Sequence, residues 1–115
     1  MKWQDLVLDQ FLRIELELGF VLDGLSVEDL NQQPAPDCNS IGWCAWHLTR
    51  SHDRNMSELM GLEQLWISGK WHARFNMAPD PAETGVGHTT QQAAEFNCPS
   101  LQLIKDYHRA IVSRC

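Results

Sequence analysis

The chain has 115 residues, of which 43% are hydrophobic and 21% are charged, so its composition is typical of a folded globular domain and not of a disordered segment. Its formal net charge is -6, with nine Lys and Arg against fifteen Asp and Glu, and such a surface repels nucleic-acid phosphates and anionic lipids. No apolar run reaches the roughly 20 residues that cross a bilayer. We therefore expect one domain over residues 1–115, without nucleic acid or a membrane as a partner.

The N-terminal residues and the cysteines indicate a reducing, cytoplasmic compartment. Asp5 interrupts the first residues before the apolar run of a signal peptide could form. The cysteines show no C-x-x-C spacing, so we interpret them as free thiols or small buried side chains. They are Cys38, Cys44, Cys98 and Cys115.

The first predicted helix has two apolar stripes. One recurs at alternating spacings of four and three residues and consists of Val7, Phe11, Ile14, Leu18, Val21 and Leu25. The other is turned away from it and consists of Leu8, Leu12 and Leu16. Two apolar stripes on one helix predict more than one packing partner. Gly24 followed by Leu25 predicts a Schellman ending.

Capping residues and prolines then divide the chain. Ser26, with Asp29 three residues on, has the capping-box pattern and predicts a short helical turn. Residues 33–37 include two prolines and predict a loop. Asn39 or Ser40 caps a second long helix, which Gly61 ends. Its predicted inward residues are Ile41, Ala45, Leu48, Met56 and Leu59.

Residues 62–88, called the crossover below, cannot form a long helix because glycines and prolines interrupt them. They also contain Trp66, Trp71 and Phe75, which make the segment too apolar for a free linker. We therefore predict an ordered segment whose aromatic side chains are buried against the helices.

The last part of the chain predicts a short helix and a third long one. Thr89 and Gln92 have capping-box spacing, and Pro99 suits the first position of the long helix. Its apolar residues are Leu101, Ile104, Ile111 and Val112. No glycine ending precedes Cys115, which lies on the same stripe. Three long helices with one apolar face too many predict a bundle without its last helix.

The histidines suggest a metal site, because neutral imidazole is the commonest metal ligand. They are His47, His52, His72, His88 and His108. His47 and His52 are five residues apart and point roughly 140° from each other on a helix, so they cannot complete a site on one element. Each histidine is also explained as a residue of a helix interface.

Other polar and aromatic residues have structural interpretations. We interpret Arg50 and Asp53 as a solvated ion pair or one at the rim of a helix interface. The tryptophans either line a ligand pocket or form core beneath the crossover, and the core interpretation is favoured. They are Trp43, Trp46, Trp66 and Trp71.

No motif of a nucleotide-binding or nucleophilic enzyme is present. Residues 85–87 contain only G-x-G and lack the third glycine of a dinucleotide fingerprint, so we predict a turn that leads into the Thr89 cap. The serines occur in no nucleophile-elbow motif, and no cysteine has a basic neighbour arranged in sequence.

The order of these patterns resembles the DinB-like superfamily. The resemblance is carried by residues 39–43, by Trp46-His47-Leu48-Thr49-Arg50 with Asp53, and by residues 61–66, 87–89 and 107–108. It implies an all-α, DinB-like helical bundle with a long crossover between the second and third long helices, here without the fourth long helix.

The resemblance also implies a metal-dependent enzyme. Characterised members include transferases and isomerases that use low-molecular-weight thiols such as mycothiol or bacillithiol, and the N-terminal domains of mycothiol-dependent maleylpyruvate isomerases are related. The usual metal site takes one histidine from the second long helix, which His47 matches, and further histidines from the last helix. The implied cofactor is a divalent ion such as Zn, Ni or Fe, in a site that His47 alone leaves incomplete.

Three functional interpretations remain open: a metal-dependent enzyme that uses His47, a non-catalytic oligomeric helical module, and a small-molecule binder. The sequence identifies no catalytic residue. The uncovered apolar face predicts a homodimer. The candidates to lie in or near its interface are Leu8, Leu12, Leu16, Ile104, Ile111 and Val112.

Overall fold

The computed structural model describes residues 2–35 and 38–114, the side chain of Thr90 excepted. Every regular element in these ranges is a helix, which confirms the all-α class. The helices are α1 (Trp3–Leu22), α2 (Val27–Asn31), α3 (Ile41–Met60), α4 (Leu65–Ser68), α5 (Trp71–Arg74), α6 (Thr90–Glu95) and α7 (Leu101–Arg114). The three long helices are α1, α3 and α7, and the crossover between α3 and α6 contains α4 and α5. No helix in the described ranges is long and apolar enough to span a membrane.

The predicted capping residues start three of the helices. Ser26 and Asp29 form the capping box of α2, and Thr89 and Gln92 form that of α6. Ser40, and not Asn39, caps α3. Pro36 and Asp37 of the predicted loop, and Cys115 after α7, lie outside the described residues.

The predicted start of α7 is wrong by two residues. The helix begins at Leu101, and the Ser100 hydroxyl accepts a hydrogen bond from the Leu103 amide at 3.0 Å. Pro99 therefore precedes the cap instead of opening the helix, because the serine hydroxyl satisfies an amide that has no partner inside the helix.

The predicted end of α3 at Gly61 is confirmed, and its geometry is that of a Schellman motif. Gly61 has a left-handed backbone, with φ 69°. Its amide bonds to the Glu58 carbonyl at 3.2 Å, and the Leu62 amide bonds to the Ser57 carbonyl at 2.9 Å.

The ending of α1 differs from the one predicted. Gly24 is left-handed, with φ 79°, but Asp23 before it is extended, with φ -61° and ψ 132°. The Leu25 amide bonds to the Leu22 carbonyl at 3.2 Å. These angles define a type II turn, which also needs glycine at its third position, so the glycine pattern alone did not distinguish the two endings.

The crossover packs into the core as predicted. Trp66, Trp71 and Phe75 are 0%, 8% and 3% exposed. Tyr107 of α7 contacts all three, with ring centroids 5.8, 5.2 and 6.0 Å away. The aromatic side chains of the crossover and of α7 therefore form one continuous core.

The predicted inward face of α3 is partly wrong. Ile41 and Leu59 are 39% and 63% exposed. Ala45 is buried as predicted. The other buried residues of this helix are Gly42, Trp43, Trp46, Thr49, Arg50, Asp53 and Ser57. On this face Arg50 and Asp53 are buried because they bond to the crossover, and hydrophobic periodicity does not detect such contacts.

The two predicted stripes of α1 have different surroundings. Leu18 and Leu22 are buried, but Val21 is 62% exposed, so the first stripe turns toward Leu22 at its end. Leu12 and Leu16 of the second stripe are 44% and 64% exposed, and Phe20 is 80% exposed. This apolar strip borders a groove of about 810 Å³ between α1 and α7, the α1/α7 groove.

The residues of α7 proposed for a dimer interface are core residues instead. Ile104, Ile111 and Val112 are 0%, 2% and 6% exposed. They already pack inside the chain, so they cannot contribute to an interface.

Candidate functional site

Three polar residues, spaced three apart on α3, hold the crossover. His47 contacts Thr84, Arg50 contacts Pro81 and Glu83, and Asp53 contacts Leu65 and Trp66. Residues at this spacing share one face of a helix. The crossover is therefore attached to α3 at its beginning and at its end.

His47 lies half-buried at the end of this row. Its ring stacks on that of Trp43, with the centroids 4.9 Å apart and the planes 20° apart. Its Nδ1 bonds to the carbonyl oxygen of Thr84. A carbonyl only accepts, so Nδ1 carries a proton, and in the neutral ring the lone pair is on Nε2. Among the described residues, Nε2 has no hydrogen-bond partner.

Arg50 and Asp53 are both fully buried, so their interpretation as a solvated or rim ion pair is wrong. Arg50 Nε donates to the Glu83 carbonyl at 2.8 Å, Nη2 to the Pro81 carbonyl at 3.2 Å, and Nη1 to the Gln64 side chain at 2.7 Å. The guanidinium also lies over the Trp66 ring, 4.5 Å from its centroid. Hydrogen bonds replace the lost water, which is what allows a charge to be buried.

Asp53 binds the other end of the crossover. Its carboxylate accepts from the Leu65 and Trp66 amides at 3.0 and 2.8 Å. It also accepts from the hydroxyls of Ser57 and Tyr107. Burial and the adjacent carboxylate raise the pKa of Tyr107 above its ordinary value, so this hydroxyl remains a donor.

A compact loop lies next to His47. His88 Nδ1 accepts from the Trp43 indole N–H at 3.2 Å, so the ring proton is on Nε2, which donates to the Glu83 carboxylate at 2.7 Å. Gly85 has φ 93°, and a Cβ there would lie 2.8 Å from the Trp43 ring and 3.1 Å from His47 Nδ1. The backbone thus approaches the rings more closely than a side chain allows.

His52 and His108 form a separate pair between α3 and α7. His52 Nδ1 lies 3.3 Å from His108 Nε2, and the His52 ring stacks on Phe11 at 4.7 Å. His108 Nδ1 is buried and has no hydrogen-bond partner among residues 2–35 and 38–114. Burial, and the neighbouring His108, lower the pKa of His52 to about 4. Burial also lowers the pKa of His108, against a smaller opposing effect of Glu15.

The histidines are not arranged as one metal centre. Both ring nitrogens of His88 are engaged, and His52 Nδ1 faces His108. His72, in the crossover, donates from Nδ1 to the Met77 carbonyl at 3.2 Å. Over residues 2–35 and 38–114, no group of three or more His, Cys, Asp or Glu side chains could hold a metal ion.

The tryptophans form core, which was the favoured interpretation. Trp43, Trp46, Trp66 and Trp71 are each 8% exposed or less. Trp46 packs on Trp66 and Phe96, with centroids 6.2 and 4.9 Å away. Their side chains are therefore part of the hydrophobic core.

The sequence did not identify the crossover residues that His47, Arg50 and Asp53 contact. No sequence signal marks Thr84 or Glu83, because their contacts to His47 and Arg50 use backbone carbonyls, which every residue has. Gly85 could have been found, since the G-x-G turn signalled a left-handed backbone.

The sequence profile of the DinB superfamily matches residues 11–115, and the chain belongs to this superfamily. It is similar to a solved structure, described as the crystal structure of a conserved protein from Enterococcus faecalis, at 32% identity and with a TM-score of 0.85. The alignment covers 98% of this chain and 66% of that one, so the chain spans about two thirds of its length. No curated protein matches the chain.

Proposed function

We propose that the chain supplies one ligand, His47, to the metal centre of an enzyme of the thiol-dependent transferase or isomerase type. The observation that supports this is the hydrogen bond from His47 Nδ1 to the Thr84 carbonyl, which leaves the Nε2 lone pair available. Metal-binding histidines almost always donate their other ring N–H to a carbonyl, a carboxylate or water. His47, on α3, is also the residue that matches the ligand which the family takes from its second long helix.

The described residues fit one metal ligand and not a complete centre. A catalytic divalent ion takes about three protein ligands, and the described part of the chain has no such group. The remaining ligands would come from outside these residues, or from a second copy. A Zn, Ni or Fe ion there would act as a Lewis acid or lower the pKa of a bound thiol or water.

The alternative is a non-catalytic helical module. The incomplete ligand set favours it, whereas the burial of the tryptophans gives no support to a small-molecule binder that uses them. Module and enzyme differ in whether His47 binds metal at all.

Paramagnetic Co²⁺ or Ni²⁺, titrated into the ¹⁵N-labelled protein, tests this difference. We expect little metal after dialysis, because a single histidine binds weakly, but the His47 Nε2 signal should broaden first as metal is added. His47→Ala should abolish that site. His72→Ala is the matched control, since His72 also donates from Nδ1 to a backbone carbonyl.

Broadening that begins at another histidine, or none at millimolar metal, would contradict the proposal and favour the module. A stoichiometric metal that resists chelators and is lost in His47→Ala would mean that the site is more complete than these residues indicate.

A further inference from the structure

Arg50 holds the peptide unit that precedes the one contacted by His47. Arg50 Nε donates to the Glu83 carbonyl at 2.8 Å, and His47 bonds to the next carbonyl, that of Thr84. The two side chains leave α3 three residues apart, and the two carbonyls they bind are consecutive. The orientation of one carbonyl therefore restricts that of the other.

Arg50 is suited to fix this orientation because it is rigid. It is fully buried, its Nη groups bond to Gln64 and Pro81, and its plane lies over Trp66. A guanidinium presents its donors in a fixed planar fork, which an ammonium group cannot reproduce.

The other side of the loop is fixed by close packing. At Gly85 a Cβ would lie 2.8 Å from Trp43 and 3.1 Å from His47 Nδ1. The Thr84 carbonyl thus lies between the Glu83 carbonyl, which Arg50 holds, and Gly85, which packs against the rings.

We propose that Arg50 is a positioning residue, which fixes the ring orientation and the Nδ1–H tautomer of His47 through the Glu83–Thr84 backbone. The arrangement keeps the Nε2 lone pair available to a metal. This last consequence rests on the proposed function, whereas the effect on the tautomer does not.

Arg50→Lys tests the contact between Arg50 and the Glu83 carbonyl, because it keeps the positive charge and removes the planar guanidinium. ¹⁵N shifts of the imidazole nitrogens report the tautomer directly. In the wild-type protein His47 should be protonated at Nδ1. In folded Arg50→Lys we expect a mixture of tautomers, and a metal affinity at His47 that is lower by about 10–100-fold, the usual effect of losing such a supporting contact.

Gly85→Ala tests the packing of Gly85 against Trp43 and His47, and it serves if Arg50→Lys does not fold. Its matched control is Gly87→Ala. Both glycines have positive φ, 93° and 80°, but a Cβ at Gly87 has nothing within 4 Å. We expect Gly85→Ala to change the His47 tautomer and Gly87→Ala to leave it unchanged.

A single Nδ1–H tautomer in folded Arg50→Lys, or in Gly85→Ala, would overturn the positioning role. If the tautomer changes as expected but neither the wild type nor any variant binds metal at His47, then the positioning role stands and the proposed function fails. If the wild type and Arg50→Lys bind metal equally well at His47 and their tautomers are the same, then the proposed function stands and the positioning role fails.

Discussion

At the scale of single residues, the histidine pair between α3 and α7 is the feature with the clearest consequence for stability. Burial lowers the pKa of both His52 and His108, that of His52 to about 4, so the folded protein favours their neutral forms. The ordinary value for histidine is 6.5. The unfolded chain therefore binds more protons than the folded one at pH values between these two, and protonation favours unfolding.

We expect the melting temperature to fall as the pH is lowered from 7 to 5. Solvent reaches part of the pair, so the loss is on the order of 1 kcal/mol, which lowers the melting temperature by several degrees. His52→Phe, which keeps a ring on Phe11, should flatten the dependence. His72→Ala is the control and should retain it.

Calorimetry between pH 5 and pH 7 measures this effect. A melting temperature of the wild type that does not change over this range would mean that the pair is already protonated in the folded protein, or that solvent screens it fully.

At the scale of elements, the crossover is attached to α3 by buried polar groups and by aromatic packing. The carboxylate of Asp53 accepts hydrogen bonds from the amides of Leu65 and Trp66 and from the hydroxyl of Tyr107. Arg50 lies 3.7 Å from its carboxylate. Removing one member of a buried charged pair is costly because the other charge stays buried.

We therefore expect Asp53→Ala to lower the free energy of unfolding by about 3–5 kcal/mol. The crossover should also become sensitive to protease, since it loses the attachment at its start. Chemical denaturation and limited proteolysis measure the two effects. Glu63→Ala, at an exposed position of the same segment, is the control and should change neither. A protected crossover in folded Asp53→Ala would show that aromatic packing alone holds it.

At the scale of the whole molecule, the apolar strip of α1 remains exposed. Leu12, Leu16 and Phe20 are 44%, 64% and 80% exposed beside the α1/α7 groove. Each such side chain is worth roughly 1.5–3 kcal/mol when fully buried, which is a large part of a typical total stability of about 5–15 kcal/mol. The groove is also lined by Asp23, Asp106, Lys105 and Arg109.

We expect two copies to associate through this strip. A two-fold related copy presents the same apolar side chains, and its acidic groups can face basic ones. Sedimentation equilibrium at micromolar concentration should show a dimer, and Leu16→Glu should convert it to a monomer. Val86→Glu adds the same charge at a position that is 73% exposed on the crossover, and should leave the dimer intact. A monomeric wild type would refute this.

The sequence by itself determined the helical class, the three long helices, the caps at Ser26 and Thr89, the burial of Trp66, Trp71 and Phe75, and the resemblance to the superfamily. These features depend on contacts within a few residues and on apolar composition, so a linear pattern carries them. The resemblance also singled out His47, although its role as a ligand is still a prediction.

Only the tertiary structure decided what the polar residues of α3 do. Arg50 and Asp53 have the spacing of a solvated ion pair, but they are buried because carbonyls and amides of the crossover, 12 to 33 positions away in the chain, supply the hydrogen bonds that water would otherwise make. In the same way, His88 is engaged by Trp43, 45 positions away, and His52 by His108, 56 positions away. Burial of a polar group requires partners from distant parts of the chain, and only folding brings these together.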